Sequence, residues 1–181
     1  MLPQYALVAY VRNAVGAFVD DLRSQLCADH GHSPAHISIL PPRTLQGTEL
    51  EARDIVEEVC RSVEPFEVVM GEVQTFMPVT PTVFVRVAHG AYRVRELHDM
   101  LNRGALASDE PWLFMPHLTL FKMETEERAR AAYAPAVRLW ERYSGSRRIV
   151  IDELTFVRSL EPNRWMDIAP IPLGSRYAHV R

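Results

Sequence analysis

Lysine is all but missing: among the 20 basic residues of this 181-residue chain, Lys122 is the single lysine. Recognition of an anion by charge therefore falls to arginine, whose planar fork suits phosphate. Cysteine is scarce as well, with Cys27 and Cys60 the whole supply. Two isolated cysteines exclude a disulfide framework and a cysteine-built zinc site, and they read as buried thiols in a reducing compartment. No apolar run approaches the ~18 residues of a membrane span. The apolar start, Leu2 to Val11, lacks a basic leader and is interrupted by Arg12, so it reads as a first strand rather than a signal peptide. A cytoplasmic monomer without a membrane partner is expected. Strong positive charge is also absent. A formal net charge of −3 argues against gripping long nucleic acid through many phosphates, and a small or terminal substrate fits better.

What is present is a globular composition, 48% hydrophobic and 24% charged, which excludes disordered and fibrous classes. The length suits one domain, or two small lobes sharing a core. One pattern occurs twice: His36-Ile37-Ser38-Ile39 and His117-Leu118-Thr119-Leu120. Each alternates polar and apolar residues, as a strand with one buried face does. On such a strand the histidine and the hydroxyl point the same way, roughly 7 Å apart.

The elements around these motifs follow from pattern. Tyr5 to Val11 reads as a strand and Val15 to Ala28 as a helix with Val15, Phe18, Val19, Leu22 and Leu26 on its stripe. The first motif strand is expected to stop at Pro41-Pro42, because proline donates nothing to a ladder. Thr48 and Glu51 have capping-box spacing and open a helix to about Val63. Glu67 to Phe76 and Thr82 to Ala88 form an antiparallel pair. A helix from Tyr92 to Leu106 leads to the second motif, and another from Glu124 to Tyr143 should kink or split at Pro135. Arg148 to Arg158 and Arg164 to Ile168 close the chain as a strand pair turned at Pro162-Asn163.

The motif histidines lie 81 residues apart, and Glu72 with Glu153, Pro81 with Pro162, and Phe84 with Trp165 keep that offset. This regularity predicts a duplicated unit. The fold expected over residues 1–181 is α+β: one domain of two pseudo-symmetric lobes related by a pseudo-twofold axis, with two antiparallel sheets flanked by outer helices. The motif strands would meet at a central cleft.

Two imidazoles facing one cleft supply an acid and a base, since a pKa near 6.5 lets one be charged while the other is neutral. The two hydroxyls can donate to an oxyanion such as a phosphoryl group. A phosphodiester between the motifs would meet all four groups, and the scheme requires no metal and no cofactor. Paired His-x-Ser/Thr-x strands in a duplicated plan resemble the two-histidine phosphoesterase superfamily, which includes the 2′-5′ RNA ligase-like proteins and RNA 2′,3′-cyclic phosphodiesterases. The closing hairpin, Leu154 to Leu173, is similar to that family's last strands. The resemblance implies a bilobal α+β fold and metal-independent hydrolysis of a cyclic or 2′-5′ phosphodiester at an RNA terminus or small nucleotide. It carries over His36 and His117 as catalytic residues, Ser38 and Thr119 as phosphate-binding ones. Pro41-Pro42-Arg43 departs from the small-residue turn of many members, so no substrate contact transfers there. A binding module without turnover and a ligase running the reverse reaction are the competing readings.

Other residues carry a bland reading beside a functional one. Arg43 and Arg86 are candidate substrate contacts or solvated arginines. Phe84 and Trp165 stack a base or pack the core, and Glu72 and Glu153 support a histidine or a bend. Asp29, His30 and His32 with His36 have the look of a metal cluster, but that leaves His117 unexplained. His89, His98 and His179 read as surface or satisfied side chains.

Overall fold

Thr48 and Glu51 close the capping box that their spacing predicts: Thr48 Oγ1 accepts from the Glu51 amide (3.2 Å), and the Glu51 carboxylate accepts from the Thr48 amide (2.7 Å). Two orphan donors are thereby satisfied, and α2 (Glu49–Ser62) starts there. The computed structural model describes residues 3–27, 33–161 and 164–174. The turn at Pro162-Asn163 and Asp29, His30, His32 and His179 lie outside them. The remaining α-helices and strands are β1 (Tyr5–Tyr10), α1 (Ala14–Leu26), β2 (His36–Arg43), β3 (Phe66–Thr75), β4 (Thr82–His89), α3 (Ala91–Leu101), β5 (His117–Lys122), α4 (Glu126–Glu141), β6 (Arg148–Ile151), β7 (Glu153–Glu161) and β8 (Arg164–Pro172), with a short 3-10 turn at Gly104–Leu106.

The α+β class and the flanking helices are as expected, but the strands make one sheet where two were expected. All eight are antiparallel in the order β6-β3-β4-β5-β2-β1-β7-β8. The motif strands β2 and β5 sit side by side at its centre, with Ile37 and Leu118 as registered partners. That short pairing fuses the two halves. A single residue, Asp152, links β6 at one edge to β7 beside β1, so the sheet must curl until its two ends come close. The expected strand over 148–158 is thus two strands. Its buried residues change phase there, from Ile149 and Ile151 to Leu154 and Phe156.

Ile37, Ile39, Leu118 and Leu120 are buried on the helix side of the sheet within the main core. Full burial of each such side chain contributes about 1.5–3 kcal/mol. The helices cross over: α1 follows β1 but packs on β5 and α4, while α3 follows β4 and packs on β2 as well as on β4. A separate small cluster, Ala6, Val8 and Val157 with Tyr10 and Trp165 against it, lies apart from that core.

Three further expectations change. β2 runs through Pro41-Pro42 to Arg43, which pairs with Tyr5; its β5 side is registered at Ile37 alone, so the prolines break no ladder on that side. The third helix ends at Leu101, where Arg103 and Gly104 turn the chain and Gly104 takes φ +53°. α4 continues through Pro135. The carbonyl that proline leaves unpaired belongs to Ala131, which is exposed, so water can replace the lost bond.

Candidate active site

Both motif strands show the same exposure pattern: histidine half-buried, apolar residue buried, hydroxyl residue half-buried, then two buried apolar residues in a row. The doubled apolar residue marks a β-bulge. On β2, Ser38 pairs with Val8 and Leu40 with Leu7, leaving Ile39 extra; on β5, Thr119 pairs with Phe84 and Phe121 with Val83, leaving Leu120 extra. Bulges re-aim side chains and are frequent beside active sites. Here each one follows the hydroxyl residue.

The histidines are oriented identically. His36 Nδ1 lies 2.7 Å from the Pro34 carbonyl, and His117 Nδ1 lies 2.7 Å from the Met115 carbonyl. A carbonyl only accepts, so both Nδ1 atoms carry the hydrogen and both Nε2 atoms are left to take up or release a proton. Among the described residues neither Nε2 and neither hydroxyl of Ser38 and Thr119 is used in a protein hydrogen bond. Burial pushes both imidazoles toward the neutral form, and the positive charges of Arg23 and His117 press His36 further the same way.

Neighbours on the strands beside them differ. Tyr10 pairs with His36 and meets it edge-on at 6.3 Å, its hydroxyl donating to Asp167 at 2.6 Å. Arg86 pairs with His117 and gives its Nε to the Glu72 carboxylate. That ion pair holds the Glu72 carboxyl below its usual range. Val8 stands opposite Ser38, and a cleft of about 90 Å³ opens there, lined among others by Tyr10, His36, Ser38, Pro42 and Trp165. Phe84 stands opposite Thr119 and fills the equivalent space: its ring stacks on Phe76 at 4.1 Å, and both lie 5.0 Å from His117.

The structure brings His36, Ser38, His117 and Thr119 onto two adjacent strands, with Arg86 beside them. It withdraws Arg43. That guanidinium is buried and occupied by the Pro41 and Leu106 carbonyls, Asn102 Oδ1 and the Glu110 carboxylate, so it ties β2 to the segment after α3. Glu153 pairs with Arg12 rather than a histidine. His98 is buried and satisfied by Asp99 and Glu110, and it stacks on Phe114. Two contributors escape the sequence reading. Phe76 carries no motif, and Arg23 looks like an ordinary helical arginine until its place is noticed, four residues after Val19 on the buried stripe of α1. Among the described residues no group of three or more His, Cys, Asp or Glu side chains converges as a metal site would.

With this geometry in hand, likeness to known proteins is specific. Escherichia coli LigT in complex with NADP+ superimposes with a TM-score of 0.61 over 97% of this chain and 100% of LigT, at 12% identity. TT0787 of Thermus thermophilus gives 0.58 over 96% and 100%, at 14% identity. At such identities the likeness carries the fold alone. A protein of Halalkalibacterium halodurans, named for an inferred phosphoesterase activity, is 33% identical over 89 residues, which are 48% of this chain and about half, 51%, of the relative. Among the described residues no helix is long and apolar enough to cross a membrane. The sequence profile of the 2′-5′ RNA ligase superfamily matches residues 11–163, both histidine motifs included, and the chain belongs to that family.

Proposed function

We propose that this protein is a metal-independent phosphodiesterase that opens the 2′,3′-cyclic phosphate of an RNA end or small nucleotide, or cleaves a related cyclic or 2′-5′ phosphodiester. His36 and His117 are its general acid and base, and Ser38 and Thr119 hold the phosphoryl oxygens. The observation that carries this reading is the matched pair of imidazoles, each with Nδ1 given to a backbone carbonyl and Nε2 unoccupied.

With a phosphodiester between the strands, one Nε2 takes the proton of an attacking water as its oxygen bonds to phosphorus. The bond from phosphorus to the leaving ribose oxygen breaks, and the other ring, protonated beforehand, gives that oxygen its proton. One water is consumed, and the site ends with the two protonation states exchanged. Such proton transfers contribute ~10²–10⁴ in rate. The unoccupied hydroxyls of Ser38 and Thr119 donate to the non-bridging oxygens, where charge builds. Arg86, beside His117, is the arginine placed to help once it lets go of Glu72.

Family membership supports phosphoesterase or ligase chemistry, and LigT has been crystallised with phosphate and with 3′-AMP. The cleft beside His36, walled by Tyr10 and Trp165, suits a nucleoside through stacking. The shared exposure pattern, bulge and carbonyl contact support reading the two motif strands as corresponding parts of a duplicated unit. The buried thiols suit a reducing cytoplasm. Joining RNA ends by a 2′-5′ bond is the same proton exchange in reverse. The test is purified protein with chelator, given 2′,3′-cyclic nucleotides, cyclic-ended oligonucleotides and 2′-5′-linked dinucleotides. Turnover that His36→Ala and His117→Ala each lower by about 10²–10⁴ is expected. Tight binding without product in any form would establish a binding module instead.

A further inference from the structure

Arginines are rarely buried, and Arg23, only 4% exposed, reaches from α1 across the fold to β5. Nε donates to the Leu120 carbonyl (2.9 Å) and Nη2 to the Thr119 carbonyl. Nη1 donates to the Ser33 carbonyl (2.9 Å) and to Asp20 (3.1 Å). Thr119 and Leu120 are the hydroxyl residue and the bulge residue of the second motif. Ser33 precedes Pro34, whose carbonyl orients His36. One guanidinium therefore grips the bulge that aims Thr119 and the loop that aims His36.

The grip matters because β2 and β5 are registered at one pair, Ile37 with Leu118. A short ladder leaves two strands free to slide and splay. A planar fork with several simultaneous acceptors resists both, which a single ammonium cannot do. Among the described residues no side chain donates to the Ser38 or Ile39 carbonyl, so the first motif has no such clamp.

Resting on the acid–base reading above, we propose that Arg23 is a positioning residue: without touching substrate, it fixes the spacing of His36 from His117 and Thr119 by clamping both motifs at once. It also sets the charge around His36. That ring faces Arg23 and Asp20 from α1, His117 from β5, and Tyr10 from β1, itself held by Asp167 of β8. Arg23 and a charged His117 oppose a proton on His36, and Asp20 favours one.

Three full-length variants test this, with thermal melts to confirm folding: Arg23→Lys, Arg23→Met and Asp20→Asn. Arg23→Lys keeps the charge and loses the fork. Its kcat on a 2′,3′-cyclic nucleotide is expected to fall roughly 10–100-fold, as a small misplacement of reacting groups does, with KM changed by less than about threefold and His36 titrating as in the parent. Arg23→Met is expected to move the His36 ring titration, followed by NMR, to higher pH, and Asp20→Asn to lower pH. A folded Arg23→Lys with undiminished kcat overturns the proposal, as does a His36 titration that moves in neither of the other two. If Arg23→Met does not fold, the remaining variants decide. If the parent protein turns over none of the phosphodiesters, the proposed activity falls while the clamp is still tested: Arg23→Lys must shift the His36 and Thr119 resonances together, and unchanged spectra refute it.

Discussion

The His36 side and the His117 side of the cleft use one plan with opposite filling. Each has a strand histidine held through Nδ1 by a carbonyl two residues upstream, and a hydroxyl two residues on, followed by a bulge. Opposite the hydroxyl stands Val8 on the first side and Phe84 on the second. The smaller residue leaves an open cleft walled by Tyr10 and Trp165; the larger packs with Phe76 against His117. The motif histidines and hydroxyls are matched while their surroundings are not. On the proposed function, the open side would take the nucleoside and the filled side the small nucleophile.

Removing either motif histidine breaks the matched part, and on the proposed acid–base reading the largest losses are expected there. His36→Ala and His117→Ala should each lower kcat by about 10²–10⁴. The double variant should be little worse than the weaker single one, because groups that act as a unit are not additive. Steady-state hydrolysis of a 2′,3′-cyclic nucleotide measures all three, and a single variant with full activity would show that the two sides are not partners. Ser38→Ala and Thr119→Val come next, at about 10²–10³ in kcat for each oxyanion donor lost. A loss confined to one of them would mean that the phosphoryl group leans on one strand.

How much of this could be read beforehand depended on whether the signal was local. The alternation of His36 to Ile39 and His117 to Leu120 gave both strands and their polar face, and the Thr48–Glu51 spacing gave a helix start. The bulges were also written locally, as the adjacent apolar pairs Ile39-Leu40 and Leu120-Phe121, but two apolar residues in a row read equally well as a strand end. The change of phase at Asp152, which splits β6 from β7, is equally short. Long-range contacts left little mark beyond the 81-residue offset, which brought the motif strands to one cleft without giving their pairing. Nothing near Arg43 announces Glu110, its partner 67 residues on, so a buried structural arginine read as a candidate substrate contact or a solvated side chain. The β2–β5 pairing that turns two sheets into one rests on Ile37 and Leu118, both buried for reasons that any core strand shares.

The unmatched part can be exchanged. Val8→Phe puts on the His36 side the bulk that Phe84 supplies on the other. It should raise KM for a cyclic mononucleotide about tenfold with a smaller change in kcat, the pattern of lost ground-state binding. Phe84→Leu thins the packing around His117 and should cost about 1 kcal/mol in denaturant unfolding, with KM within about twofold. If Phe84→Leu were the variant that raised KM, the nucleoside would lie on the other side.

The smallest expected effect separates the two histidines by charge. Burial lowers the proton affinity of both, and His36 carries the added opposition of Arg23 and His117, offset in part by Asp20. In a ring titration followed by NMR, His117 should therefore take its proton at the higher pH and His36 at the lower. Above pH ~6.5 both rings are neutral whether the chain is folded or not, and neither changes stability. Below it the unfolded chain binds protons that the folded site resists, so stability falls with pH until the folded rings also charge. A bound phosphate reverses that preference, because an anion between the imidazoles favours their charged forms. Inorganic phosphate should therefore raise the Tm more at pH 6 than at pH 8. An equal rise at both would mean that phosphate binds without engaging the histidines, and the matched pair would then need another explanation.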